Sequence, residues 1–176
     1  MDFTELINNR ESIRSYDPSK PVPEEILKRI LDAGRIALSA ANRQPWKFLV
    51  ISSPDMLAKV RPCYNREWFS DAPHIIVVVG LKDQAWNRSY DGYNSLETDA
   101  AIAMTHIIFS AENEGVGACW IANYDPVILR KALSDFLGTG DNQEIFGITP
   151  LGYPRPEFRK SGNKKRKDFR EVIEFV

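Results

Sequence analysis

Five consecutive residues, Ile75-Ile76-Val77-Val78-Val79, form the longest β-branched run in the chain. Both alternate faces of that run are apolar, which predicts a strand from Pro73 to Leu81 buried on both sides in the middle of a sheet. Trp46 to Ser52 carries Trp46, Phe48 and Val50 on one alternation and Leu49 and Ile51 on the other, and reads as a second strand covered on both faces. Two more strands are expected at Ala118 to Ala122 and at Glu144 to Gly152. Elsewhere the helical period takes over. Pro21-Val22-Pro23-Glu24-Glu25 suits a first helical turn, where proline is tolerated and acids complement the dipole. Ile26, Leu27, Ile30, Leu31 and Ile36 to Leu38 then carry that helix to about Leu38, and Ser39 to Asn42 reads as a loop. Ser53-Pro54 opens a short helix ending near Tyr64, and Asp125-Pro126 opens another reaching about Leu137. The longest helix runs from Ser95 to Glu114. Its apolar positions (Leu96, Ala100, Ala101, Ala103, Met104, Ile107, Ile108, Phe109, Ala111) cover more than half its circumference, so burial within the domain or between subunits is expected. Gly115 supplies its left-handed stop. Helices and strands mix without internal repeats, and the expected class is α+β.

Composition adds bounds. At 176 residues, 43% hydrophobic and 27% charged, the chain is sized for one globular domain spanning 1–176. No apolar run nears the roughly 18–20 residues of a membrane helix. Met1-Asp2-Phe3-Thr4-Glu5 lacks a basic-then-apolar targeting signal, so a soluble, cytoplasmic protein is expected. Two cysteines, Cys63 and Cys119, and two histidines, His74 and His106, are too scattered to make a zinc site. Neither cysteine has the histidine neighbour or C-x-x-C partner of a nucleophile.

Charge distribution changes the picture more. The net charge is −1, yet residues 155–170 hold eight Lys and Arg against Glu157 and Asp168, a surplus of six that leaves −7 for the rest. An acidic body with one basic tail is poorly made for wrapping nucleic acid. A local anion site fits better. Arg10-Glu11-Ser12-Ile13-Arg14 offers one: extended backbone sends residues 10, 12 and 14 to one face, where two guanidinium forks and a hydroxyl suit a phosphate. Its plain alternative is a solvated basic turn. Ser39-Ala40-Ala41-Asn42-Arg43-Gln44-Pro45-Trp46 uses small residues that let a flat ligand approach the backbone, and amides that can pair with a heteroaromatic edge. It also suits simple connection. Trp68, Phe69, Trp86, Tyr90 and Tyr93 either stack on a planar substrate or pack on the body. Gly115-x-Gly117 lacks the third glycine of a dinucleotide fingerprint, and Ser161-Gly162-Asn163-Lys164 stands without the other motifs of a serine acyltransferase.

Taken in order, these segments resemble the FMN-dependent nitroreductase family. The resemblance rests on Arg10 to Arg14, on Pro21-Val22-Pro23-Glu24-Glu25-Ile26, on Ser39 to Trp46, and on Asp71-Ala72-Pro73. Gly115-Val116-Gly117-Ala118-Cys119-Trp120-Ile121 before Asp125-Pro126, and Leu151-Gly152-Tyr153-Pro154 before the basic tail, complete it, so it covers nearly the whole chain. It implies a mixed or antiparallel sheet flanked by helices, in an interlocked homodimer with FMN at the subunit interface. Arg10, Glu11, Ser12 and Arg14 would then serve phosphate, ribityl and pyrimidine edge, with Lys164 and Arg166 closing on the phosphate. Residues 153–176 would close the site and pack on the partner. Ser39, Ala40, Asn42 and Gln44 would line it from the other chain, Asn65 would contact the isoalloxazine, and the backbone of Ile121, Ala122 and Asn123 would lie near flavin N5. No side chain is implied as acid or base. The implied activity is hydride transfer from NADH or NADPH through the flavin to a nitroaromatic, quinone or other electron-poor acceptor by a ping-pong route. A flavin-binding protein without turnover, or a member with divergent flavin chemistry, is the alternative. Leu38 departs from the proline usual in the family, and Asn123 from a common glycine, where Asn tolerates positive φ.

Overall fold

A computed structural model describes residues 1–138, 140–162 and 164–176. Four strands, β1 (Trp46–Ile51), β2 (His74–Leu81), β3 (Gly117–Ala118) and β4 (Gln143–Gly152), pair in the spatial order β1-β2-β4-β3. Every pairing is antiparallel, so the sheet is not mixed. The apolar run at 75–79 lies in β2, hydrogen-bonded on both edges as its two apolar faces require. Ile75, Val77 and Val79 point into a layer with Leu57, Phe69 and Leu129, supplied by α3 (Pro54–Val60), α4 (Glu67–Ser70) and α6 (Pro126–Ala132). Ile76 and Val78 point the other way, onto α2 (Glu24–Arg35) and α5 (Leu96–Asn113) through Leu27, Ile30, Met104 and Ile107. Each fully buried Ile or Val of β2 contributes about 1.5–3 kcal/mol. Gly34 lets α2 close on α5, since a Cβ there would sit 2.6 Å from Ile107 Cγ1.

Several boundaries move from their sequence positions. Helix α2 stops at Arg35: the Ile36 amide still bonds Asp32 as in an α-helix, but the Ala37 amide turns back to Gly34 in a tighter i→i−3 bond. Ile36 and Leu38 are therefore 63% and 67% exposed, and only Ala37 turns inward, against Trp46 and Ala103. Strand β3 is two residues long. Ile121 rejoins the sheet through a reciprocal pair of bonds with Ile148, 2.9 and 3.1 Å, while Cys119-Trp120 leaves the ladder between them. Helix α6 ends at Ala132 and gives way to turns. Val50, on edge strand β1, is partly bare rather than covered.

Three short helices appear where no period was read. Helix α1 (Phe3–Asn9) is closed by a capping box between Asp2 and Glu5, and α7 (Phe169–Val172) by one between Asp168 and Glu171. Neither buries a residue. Helix α4 is a single turn that seats Phe69 in the core. No helix among the described residues is long and apolar enough to cross a membrane.

Candidate functional site

Residues 10–14 leave α1 in extended form and are fixed through the middle residue. The Ile13 amide donates to the Ala118 carbonyl on β3 at 2.9 Å, and the buried Tyr16 hydroxyl donates to the Ile13 carbonyl at 2.7 Å. Ile13 itself is fully buried, so its neighbours on the alternation face outward. Gly117 makes room for it: a Cβ there would stand 2.8 Å from Ile13 Cγ2 and 3.1 Å from the Gly152 carbonyl oxygen. The second glycine of Gly115-x-Gly117 thus serves close approach, and the first serves a positive φ of 71° at the end of α5.

On the outward side a cavity of about 230 Å³ is lined by Arg10, Glu11, Ser12, Arg14, Ser161, Lys164 and Arg166. The two ends of the chain thus supply four cations to one concave surface. Lys164 donates to the Asn8 carbonyl at the end of α1. Partial burial, aided by Arg10 nearby, pushes its ammonium below the usual lysine value, while Glu11 opposes the shift. The Glu11 carboxyl is held below the usual range, chiefly by the Ser161 backbone N–H. Beneath Ser12 and Arg14 lies the Cys119 thiol, which burial pushes up despite Arg14.

Arg10 and Ser12 also border a second pocket of about 180 Å³, whose other walls are Thr105, Ile108 and Phe109 of α5 with Ala118 and Trp120. Trp120, 37% exposed, packs edge-on against Phe146 at 5.4 Å. Phe146 is the extra residue of a β-bulge, since Val78 pairs with Gly147 and Val79 with Ile145. A cationic cavity and an aromatic pocket therefore meet along one segment, an arrangement suited to a ligand with a phosphate at one end and a flat apolar body at the other.

The Nitroreductase family profile matches residues 7–63 and 55–153. This chain belongs to the Nitroreductase family. An Archaeoglobus fulgidus protein whose name proposes NADH dehydrogenase or NAD(P)H nitroreductase activity is 30% identical over 152 residues, covering 86% of this chain and 85% of the relative. A nitroreductase family protein of Clostridium difficile 630 superposes with a TM-score of 0.88 at 31% identity, covering 99% and 98% of the two chains. The fold also matches a nitroreductase with bound FMN from Bacteroides fragilis, with a TM-score of 0.73, 22% identity, and 100% and 99% coverage.

Within this family frame, the remaining expected residues fall into three places. Ser39, Ala40, Asn42 and Gln44 form a tight loop that lies outside both pockets described above. Ala41, Asn42 and Gln44 all adopt positive φ, at 51°, 53° and 50°, although none is glycine. Such strain persists only where surroundings over-determine it. Here the Gln44 amide donates to Ser39 Oγ at 2.9 Å, and the Ala40 amide donates to the Asp99 carboxylate at 2.9 Å. Gln44 instead borders a groove of about 820 Å³ between α2 and β1, with Leu31, Trp46, Phe48 and Val50. Asn65 is exposed beyond the turn that follows α3. Ile121 is buried with its amide committed to Ile148, so among the described residues the free donors of that segment are the amides of Ala122 and Asn123. Asn123 does not use its tolerance of positive φ. Among the described residues no three His, Cys, Asp or Glu gather as metal ligands.

Sequence reasoning missed Asp99, Trp120, Ser161 and Gly162. Asp99 resembles any acid in a first helical turn, and Ser161-Gly162 resembles a flexible link. Trp120 does carry a legible signal, as an aromatic leaving the sheet shortly after Gly115 and Gly117.

Proposed function

We propose that this chain is an FMN-dependent, homodimeric oxidoreductase that takes a hydride from NADH or NADPH and reduces a nitroaromatic, quinone or similar electron-poor planar acceptor in ping-pong order. The family assignment makes it a nitroreductase-type oxidoreductase. The observation that carries the FMN reading is the convergence of Arg10, Arg14, Lys164 and Arg166 around Ser12, with the Trp120 pocket on the other side of the same segment. Those donors fit a phosphate monoester, and a solved protein of this fold holds FMN. When bound, FMN supplies the hydride acceptance and delivery that no side chain here can perform.

The chain's own residues then bind, orient and exclude water. Arg10 and Lys164 hold the anionic end; Arg14, which lines the cationic cavity and not the Trp120 pocket, is assigned by the family resemblance to the pyrimidine edge of the ring, and Ser12, which borders both, donates between them. The amides of Ala122 and Asn123 are the donors left for the ring. Cys119 stays protonated and takes no covalent part, since burial raises its pKa. A cytoplasmic setting suits two buried, unbridged thiols. Two features support a second subunit: the strained loop at 39–44 lies apart from the cradle within one chain, and Phe169, Val172 and Phe175 expose apolar surface beyond it. In this reading, residues 153–176 close the site and then pack on the partner.

The test is the visible spectrum of the purified protein and its anaerobic bleaching by NADH or NADPH. A flavin spectrum bleached by either nucleotide supports the reading; a colourless protein that cannot be reconstituted with FMN overturns it. Arg14→Ala is expected to lower flavin affinity about tenfold and to lower its potential, as loss of a charge-assisted contact predicts. An unchanged potential would remove Arg14 from that role.

A further inference from the structure

Glu11 is the one acid among the described residues lining a cavity that otherwise presents cations. A carboxylate there should repel an anionic ligand, yet its oxygens are turned to the tail. Its Oε2 accepts from the Ser161 amide at 3.0 Å and the Ser161 hydroxyl at 3.2 Å, and its Oε1 accepts from the Gly162 amide at 2.8 Å. Three donors separated from it by some 150 residues of sequence converge on one side chain. Beside this contact, Lys160 reaches the Asn9 carbonyl at 3.0 Å and the nearly buried carboxylate of Glu112 at the far end of α5.

Lys164 and Arg166, the cations that complete the cavity, follow directly after these contacts in the chain. Without an acceptor at position 11, Ser161 and Gly162 have nothing to dock on, and Lys164 faces the like charge of Arg10 without compensation. Resting on the FMN reading above, we infer that Glu11 is a positioning residue: it latches the basic tail over the cradle and so sets how long a phosphate-bearing ligand stays bound, acting through Lys164 and Arg166 rather than by touching the ligand.

The two roles open to this carboxylate have opposite signs. If it acted as a repelling charge, removing it would tighten FMN binding; as a latch, removing it loosens binding. Glu11→Ala, Glu11→Gln and wild type are compared by the rate at which free-flavin fluorescence reappears on dilution. Each is also digested with trypsin, with and without FMN, and fragments cut between 159 and 167 are followed by mass. Release from Glu11→Ala is expected to be about tenfold faster or more, as loss of several bonds to a charged acceptor implies, with Glu11→Gln between it and wild type. Tail cleavage is expected to accelerate in the same order while cleavage of residues 20–150 and the thermal midpoint stay at wild-type values. Slower release, or tail cleavage that does not change, overturns the latch. Should wild type bind no FMN while the substitutions still free the tail, the latch stands and the FMN reading fails.

Discussion

Asp99 is 1% exposed and, among the described residues, forms no ion pair; its carboxylate accepts from the Ala40 amide and, at 2.7 Å, from the Ser95 hydroxyl. A buried carboxylate is costly unless hydrogen-bonded, and this one restrains a loop with three left-handed non-glycine residues. Asp99→Ala is expected to cost about 1–3 kcal/mol in urea unfolding, because one buried and one half-buried donor lose their acceptor. Asp99→Asn, which keeps one oxygen, should cost less, and equal losses would argue against the hydrogen-bond account. Gly117→Ala presses a methyl group onto Ile13 and the Gly152 carbonyl, and is expected to cost about 1–3 kcal/mol while weakening FMN binding. Full stability with full affinity would show that Ile13 does not position the cradle. At this scale, legibility followed exposure of chemistry in the sequence. That Arg10, Ser12 and Arg14 line one cavity was readable because period-two spacing places them on one face. Asp99 was not, because its partner amide lies 59 residues away and carries no sequence mark.

Among the elements, β2 was read almost to the residue and β3 was not. A run of β-branched residues specifies a buried strand by itself, whereas the path at 117–121 depends on contacts with Ile13, Phe146 and Ile148 that pattern alone does not encode. Helix α2 overran for the same reason: Ile36 and Leu38 keep the apolar period while the backbone tightens to an i→i−3 bond from Ala37 to Gly34 and leaves the helix. Helices α1 and α7 carried a readable sign in their Asp-x-x-Glu boxes. His74, first residue of β2, ties three elements together. Its Nε2 accepts from the Val22 amide at 3.1 Å, which assigns the ring proton to Nδ1, facing Ser52 Oγ at 2.7 Å. Burial lowers its pKa below the ordinary 6.5, so the folded protein holds it neutral. The unfolded chain therefore takes up the proton first as pH falls. Stability from this group is fully present above 6.5 and is lost as pH drops through that value toward the folded pKa. Urea unfolding at pH ~7.5 and ~5 should show that loss in wild type and a shallower one in His74→Gln; parallel profiles would exonerate His74.

For the molecule as a whole, the family and the α+β class were legible in one chain, as was the meeting of residues 10–14 with Lys164 and Arg166, while the choice between a mixed and an antiparallel sheet was settled only by the strand pairings. The motif at 39–44 could not be joined to the cradle within one subunit, because none of its residues lines that cavity and Gln44 borders the groove between α2 and β1 instead. Exposed apolar residues at the tail, with Phe175 87% exposed, make the same point. Under the proposed two-chain site, removing residues 168–176 is expected to convert a dimer to a monomer by light scattering and to reduce FMN retention; a monomeric full-length protein would refute that site.

The cradle also has a history written into its geometry. Its two halves, residues 10–14 and 161–166, belong to opposite ends of the chain. A ribosome makes the first early and the second about 150 residues later, after all four strands have been translated. The nascent chain can thus fold its sheet with an open cradle, and a retained ligand marks a polypeptide whose translation has passed the tail.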